Sequence, residues 1–229
     1  MKAILLAAGL GTRLRPLTNS IPKCLVPIKG VPLLQLWLDK LTTLGVTEVL
    51  INTHYFHEQV VQFIESYKTN LTIRLVYEEQ LLGTGGTLIQ NASFWADYDT
   101  LVIHADNYCE DSLTDFVHSH SKRPKNCCTS LLLFRTSQPK SCGVVTLDEQ
   151  SIITSFHEKV ENPPSNLASG ALFLFDKSVY ETYFQTYRKG TFIDLSADVI
   201  PNMINCMNGY ETKLTYLDIG TLEQYNKVK

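Results

Sequence analysis

The residues best suited to chemistry stand in one short run near the start of the chain, Gly9-Leu10-Gly11-Thr12-Arg13-Leu14-Arg15-Pro16, with Pro22-Lys23 soon after. Two glycines let the backbone approach a ligand with no Cβ in the way, and successive exposed N–H groups make a nest for an anion. Arg13 and Arg15 add planar cations that fork onto phosphate oxygens, and Lys23 adds a point charge behind a stiffening proline. The run suits the holding of phosphate groups. Two common phosphate loops are excluded. The dinucleotide fingerprint needs a third glycine where Leu14 stands, and the Gly-Lys-[Ser/Thr] ending of a P-loop is absent.

The elements that must position this run read as alternating strands and helices. Ala3 to Ala7 is a short, continuous apolar strand of the kind buried on both faces in a parallel sheet. Pro32 to Leu44 reads as a helix that stops at Gly45, and Glu48 to Asn52 as a second strand. His57 to Tyr67 is a helix with Val60, Val61, Phe63 and Ile64 on its apolar face. Ile73 to Tyr77 is a third strand, Thr84 to Asn91 a helix and Thr100 to Ile103 a fourth strand. This alternation predicts a parallel sheet with helices on both faces, whose strand C-termini share the edge where ligands bind. The second half departs from it. Thr129 to Phe134, Gly143 to Leu147, Ile152 to His157 and Leu167 to Phe175 are closely spaced strands, so an antiparallel part is expected. Helical stretches over Ser178 to Tyr187 and Leu195 to Met207, a strand over Thr212 to Leu217 and a short terminal helix follow. The predicted class is α/β, Rossmann-like, with a mixed, mostly parallel central sheet.

The full string Gly9 to Thr18 with Pro22-Lys23 resembles the signature of the sugar-1-phosphate nucleotidylyltransferases, also called NDP-sugar pyrophosphorylases, and further matches run along nearly the whole chain. The resemblance implies the nucleotide-diphospho-sugar transferase fold and transfer of a nucleotidyl group from an NTP to a sugar 1-phosphate, with release of pyrophosphate. It places Leu6, Ala8, Gly9, Gly11, Thr12 and Arg13 at the nucleotide, with Arg13 on the leaving pyrophosphate and Lys23 at the reacting phosphates. Glu78 and Leu82-Gly83-Thr84-Gly85-Gly86 resemble the base-recognition loop, with Glu78, Gly83 and Thr84 as nucleotide contacts. A carboxylate accepts two hydrogen bonds, and guanine offers N1–H and N2–H side by side, whereas the uracil edge offers one donor. Glu78 therefore favours GTP, although some uridylyl-transferring relatives also carry Glu there.

His104-Ala105-Asp106-Asn107, at the end of a predicted strand, resembles the family's Gly-Asp-Asn-type motif, with His104-Ala105 in place of the usual glycine-containing pair. The resemblance makes Asp106 a Mg²⁺ ligand and puts Asn107 near the sugar. Leu217-Asp218-Ile219-Gly220-Thr221 resembles the closing motif, with Asp218 the second Mg²⁺ carboxylate. Gly143, Glu158 and Lys159 of Phe156-His157-Glu158-Lys159, and Gly170 complete the implied sugar-phosphate site. The implied chain is a single catalytic domain over 1–229, with a nucleotide-binding half at 1–110, a sugar-phosphate half at 111–229 and no C-terminal left-handed β-helix. Its compact pattern is similar to guanylyltransferases of the mannose-1-phosphate and D-glycero-D-manno-heptose-1-phosphate type. A uridylyl-, cytidylyl- or thymidylyltransferase on another phosphorylated sugar or alcohol is the alternative. A regulatory subunit that only binds nucleotide sugars is a remoter one, set against the presence of Arg13, Lys23, Asp106 and Asp218.

Bulk properties agree with a folded soluble protein. The 229 residues are 44% hydrophobic and 19% charged, and the net charge of −3 gives no basic stripe of the kind a nucleic-acid binder needs. No apolar run is long enough to span a membrane. The six cysteines include no C-x-x-C pair, which fits reduced thiols in a cytoplasmic protein. The histidines form no recognisable catalytic triad, and His118-x-His120 reads as a solvated helix end. Tyr180, Tyr183, Phe184 and Tyr187 read as a packing face. Expected partners are an NTP, a sugar 1-phosphate and Mg²⁺, with self-association left open.

Overall fold

The computed structural model describes residues 1–229. In chain order the elements are β1 (Lys2–Leu6), β2 (Pro27–Ile28), β3 (Val31–Pro32), α1 (Leu33–Thr43), β4 (Glu48–Thr53), α2 (His57–Ser66), β5 (Thr72–Tyr77), α3 (Gly83–Gln90), α4 (Ala92–Trp95) and β6 (Thr100–His104). They continue with β7 (Asn107–Cys109), α5 (Thr114–Ser121), β8 (Thr129–Arg135), β9 (Gly143–Leu147), β10 (Ile153–Glu158), β11 (Leu167–Phe175), β12 (Met207–Glu211), β13 (Tyr216–Asp218) and α6 (Leu222–Tyr225). The class is the expected one, α/β with a mixed central sheet. The chain gathers into two compact units, one of residues Met1–Leu81, Ile103–Ser112 and Leu214–Lys229, the other of Leu82–Val102 and Leu113–Lys213.

In the first unit β1 lies parallel to β4, with Ala3 opposite Val49 and Leu6 opposite Asn52, and β4 lies parallel to β5. Every residue of β1 is buried, as a strand covered on both faces requires. β5, at the sheet edge, has no fully buried residue. Helix α1 buries Leu33, Leu34, Trp37, Leu38 and Leu41, the i, i+3, i+4 stripe that packs a helix on a sheet. The N–H of Ala105 donates to the carbonyl of Leu6 at 3.0 Å, so the chain leaving β6 stays beside the end of β1. β13 then pairs antiparallel with β7, with Asp218 opposite Asn107.

In the second unit β8 runs antiparallel to β11 and parallel to β12, and β9 runs antiparallel to β10. The pairing of β11 with β8 shifts between Ser169 and Phe173, where Ala171 takes φ 49°. Such a break re-aims the strand locally. Trp95, Phe173, Phe175, Tyr180 and Phe184 form one aromatic cluster, with Trp95 meeting the Tyr180 and Phe184 rings edge-on at 5.5 and 5.3 Å. The face read from Tyr180 and Phe184 is thus a packing face.

Three expectations are corrected. The helical stretch over Leu195 to Met207 breaks into a π turn, Leu195–Val199, and a 3-10 turn, Ile200–Met203, because Pro201 has no N–H to continue a helix. Met207 begins β12 instead. No strand covers Thr212 to Leu217: β12 ends at Glu211 and β13 starts at Tyr216. His120 is not solvated. It is buried, with Nδ1 2.9 Å from the hydroxyl of Ser130.

Candidate active site

The first unit assembles Arg13, Lys23, Asp106 and Asp218. Lys23 opens a 3-10 turn behind the extended Pro22, and its side chain is only 7% exposed. Its Nζ donates to Oδ2 of Asp106 at 2.7 Å and to Oδ1 of Asp218 at 3.3 Å. Burial opposes the charge on Lys23, but the two carboxylates outweigh it and hold the ammonium above its usual range. For Asp106 burial again opposes ionisation, and the charges of Lys23 and His104 overcome it, so the carboxyl sits below its usual range. Both groups are thus charged at neutral pH, and each holds the other in place. Asp106 follows β6 and Asp218 ends β13. The three-residue ribbon of β7 and β13 is what brings together carboxylates from distant parts of the sequence.

Arg13 is held differently. It lies on the turn Thr12–Leu14, which buries Leu14 and leaves Thr12 and Arg13 outside; its side chain is 67% exposed, and its guanidinium stands 3.9 Å from Oδ2 of Asp218. Gly9, Thr12 and Arg15 are exposed as well, and Ala8, at the strand end, is buried. Gly11 takes φ 63°, and its carbonyl accepts the Thr18 hydroxyl at 2.7 Å, pinning the far side of the loop. The anion-nest reading thus meets an open, cation-edged loop at the end of a buried strand.

Glu78 lies just beyond β5 and is buried. Oε1 accepts from Nδ2 of Asn52 at 2.9 Å, and Oδ1 of Asn52 accepts from the N–H of Ala7 at 2.7 Å. The backbone of Glu78 is fixed on both sides, its N–H on the carbonyl of Thr53 at 2.9 Å and its carbonyl 2.7 Å from Nδ1 of His54. Asn107 is also buried. Its amide donates to the Tyr216 hydroxyl at 3.1 Å, and its carbonyl accepts from Trp37 Nε1 at 2.9 Å.

The remaining candidates belong to the second unit. Gly143 opens β9 opposite Glu158, the last residue of β10. A Cβ on Gly143 would meet Oε2 of Glu158 at 2.5 Å and the Phe156 ring at 2.7 Å, so only glycine leaves the carboxylate its position. Lys159 takes φ 48°, and its Nζ pairs with Oε1 of Glu158 at 2.8 Å while remaining 63% exposed. Gly170 is buried within the irregular part of β11.

Gly83, Gly85 and Gly86 have a use that sequence reasoning missed. The N–H groups of Gly85 and Gly86 donate to the carbonyl of Ile193 at 2.9 and 3.0 Å, and the N–H of Ile193 donates to Leu82 at 2.9 Å. A Cβ on Gly83 would strike that Ile193 carbonyl, and one on Gly86 would meet the Thr191 carbonyl at 2.6 Å. The hydroxyl of Thr84 accepts from the N–H of Leu195 at 2.9 Å. The glycines clasp the segment 191–195 by close backbone approach. Asn52 and Tyr216 were missed too. Asn52 had a signal, a polar residue closing the apolar run Val49-Leu50-Ile51 at the ligand-bearing edge of a parallel sheet.

An NTP site requires phosphate-facing cations and, for magnesium, hard oxygen donors. The donor chemistry fits. Asp106 and Asp218 already converge on one cation, the Lys23 ammonium, and their side chains remain 33% and 49% exposed. Mg²⁺ takes one or two carboxylates and completes its shell with water and phosphate oxygens.

Residues 2–229 match the family of nucleotidyl transferases, and the chain belongs to that family. It is 33% identical over 186 residues to a bifunctional GlmU protein of Methanocaldococcus jannaschii, covering 81% of this chain and 42% of that protein. It is 29% identical over 228 residues to a mannose-1-phosphate guanylyltransferase of Mycobacterium tuberculosis, covering 97% of this chain and 62% of that one. The chain thus spans between two fifths and two thirds of the length of these relatives. A crystal structure of a Bacillus anthracis chain assigned as a glucose-1-phosphate thymidylyltransferase superposes with a TM-score of 0.88 at 23% identity, over 100% of this chain and 93% of that one, which establishes the shared fold. No helix is long and apolar enough to cross a membrane.

Proposed function

We propose that this chain transfers a nucleotidyl group from GTP to a sugar 1-phosphate of the mannose or heptose type, releasing pyrophosphate. The observation that carries the reading is Lys23, buried and charged between Asp106 and Asp218 in the same unit as the open loop bearing Arg13. The guanylyl preference draws on Glu78 and on the name of the mycobacterial relative.

A phosphate monoester has a second pKa near 6, so at pH 7 its oxygen is already a nucleophile and no general base is required. The sugar phosphate oxygen attacks the α-phosphorus of GTP. A new phosphorus–oxygen bond forms, the bond to the bridging oxygen breaks, and that oxygen leaves with pyrophosphate. Arg13 and Lys23 stabilise the negative charge that develops on the bridging oxygen. Asp106 and Asp218 would hold Mg²⁺, which supplies Lewis-acid neutralisation of the phosphate oxygens. Glu78 accepts from the guanine edge, with Gly83 and Thr84 as further base contacts. Leu6, Ala8, Gly9, Gly11 and Thr12 line the nucleotide. Asn107, Gly143, Glu158, Lys159 and Gly170 serve the sugar phosphate, with Glu158 accepting from hydroxyl groups and Lys159 pairing with the phosphate.

The test is pyrophosphate release with Mg²⁺, across four NTPs crossed with the 1-phosphates of mannose, D-glycero-D-manno-heptose, glucose and N-acetylglucosamine. Turnover with GTP and a mannose- or heptose-type sugar is the expected result. Turnover only with UTP, CTP or dTTP keeps the class and overturns the reading of Glu78, and silence from folded protein overturns the class.

A further inference from the structure

Asn52 joins two functions that the proposed reaction treats separately. It is buried at the C-terminal end of β4, 4% exposed, between Ala7 and Glu78. Its single amide accepts from the N–H of Ala7 at 2.7 Å and donates to Oε1 of Glu78 at 2.9 Å. Ala7 follows β1 directly and lies two residues before the glycine-rich loop opens at Gly9. Glu78 is itself 5% exposed, and its backbone is bonded at both its N–H and its carbonyl.

A carboxylate that reads a base must present an acceptor in a fixed direction. The amide of Asn52 fixes the direction of the Glu78 carboxylate, because one of its oxygens, Oε1, is held by Nδ2. Asn52 can donate to Glu78 and accept from Ala7 only in one orientation, since a flipped amide would set two donors against each other at Ala7. From this geometry we infer that Asn52 is the positioning residue for nucleobase recognition, and that it locks the base-reading carboxylate to the start of the phosphate loop. The inference rests on the reading of Glu78 as the base contact.

Three variants test it, with GTP compared against ITP, which lacks the N2 amino group and so asks for one acceptor instead of two. Asn52→Asp keeps the acceptor for Ala7 and replaces the donor to Glu78 by a like charge. Its KM for both nucleotides rises about tenfold, while kcat stays within about threefold. Glu78→Gln loses the preference for GTP over ITP. The double variant Asn52→Asp with Glu78→Gln reverses donor and acceptor between the two side chains and restores their hydrogen bond. Its melting temperature recovers towards that of the parent, and its KM for ITP returns to within about threefold of the parent's, with no preference for GTP. An unchanged KM in folded Asn52→Asp, beside a Glu78→Gln that loses its GTP preference, overturns the inference alone. A Glu78→Gln that keeps the GTP preference overturns the reading of Glu78, and the inference falls with it. If Asn52→Asp fails to fold, the double variant decides: poor KM for ITP despite a parent-like melting temperature overturns the inference.

Discussion

Two lysine–carboxylate contacts in this chain look alike on paper and differ in kind. Lys23 in the first unit touches Asp106 and Asp218 with a side chain 7% exposed, and Lys159 in the second touches Glu158 with a side chain 63% exposed. Water screens the second pair, and an exposed ion pair of this sort contributes between nothing and about 1 kcal/mol. Lys23 has given up most of its hydration for two carboxylates, so its position is set before any substrate arrives. One contact is preorganised charge, which suits stabilisation of a transition state. The other is free to exchange its partner for a ligand phosphate, which suits binding.

The sharpest way to break this contrast is to remove the buried cation. Lys23→Met is expected to lower kcat on the order of 10³-fold, and Asp106→Asn similarly, as for loss of a preorganised charge at the reacting group. Lys23→Met also leaves two facing carboxylates uncompensated, and a loss of about 1–2 kcal/mol in a denaturant melt is expected after allowing for their partial exposure. Equal effects on kcat from Lys23→Met and Lys159→Ala would erase the distinction. Arg13→Ala comes next. With a side chain 67% exposed, Arg13 adds little to the fold, so stability within about 0.5 kcal/mol of the parent and activity down about 10²-fold are expected. Gly143→Ala pushes a Cβ against Oε2 of Glu158. Its KM for the sugar phosphate rises about tenfold while that for GTP holds, a split read from initial rates at varied concentrations of each. The smallest change leaves activity alone. Burial, then the charge of Arg123, pushes the pKa of His120 down to about 4 against pulls from Asp99 and Asp176. The unfolded chain therefore binds a proton that the folded chain refuses between about pH 6.5 and 4. His120 contributes fully above pH 6.5, and as the pH falls through this window about 2–3 kcal/mol is lost. Melting temperatures of the parent and His120→Asn across pH 4 to 7 check this, and parallel curves would refute it.

The parts legible in the sequence were those whose cause is local. β1, α1, β4, α2 and β5 follow from apolar periodicity and from stops such as Gly45, and the observed ends differ from the expected ones by a residue or so. The glycine run announced an open, cation-edged loop by its residue types alone. Non-local causes stayed hidden. Tyr216–Asp218 forms a strand because Asn107–Cys109 stands ready to pair with it, and neither three-residue piece has a pattern of its own. His120 looked polar and exposed beside His118 because nothing near it in sequence reveals Ser130 across the packing. In the sequence the glycines at 83, 85 and 86 speak for the base edge alone, and their structural use against Ile193 arises from a segment a hundred residues further on. For Asp106 and Asp218 the resemblance supplied the pairing, and the structure supplied its physical agent, the ammonium of Lys23.

That pairing has a consequence for how the protein is made. Asp218 lies 195 residues after Lys23 in sequence. Domains begin to fold while the ribosome is still adding residues at the other end. Asp106 follows β6 and is synthesised long before Asp218, so Lys23 has only half of its carboxylate pair until the ribbon of β7 and β13 closes. The charge cluster is thus complete only once Tyr216–Asp218 has taken its place beside β7.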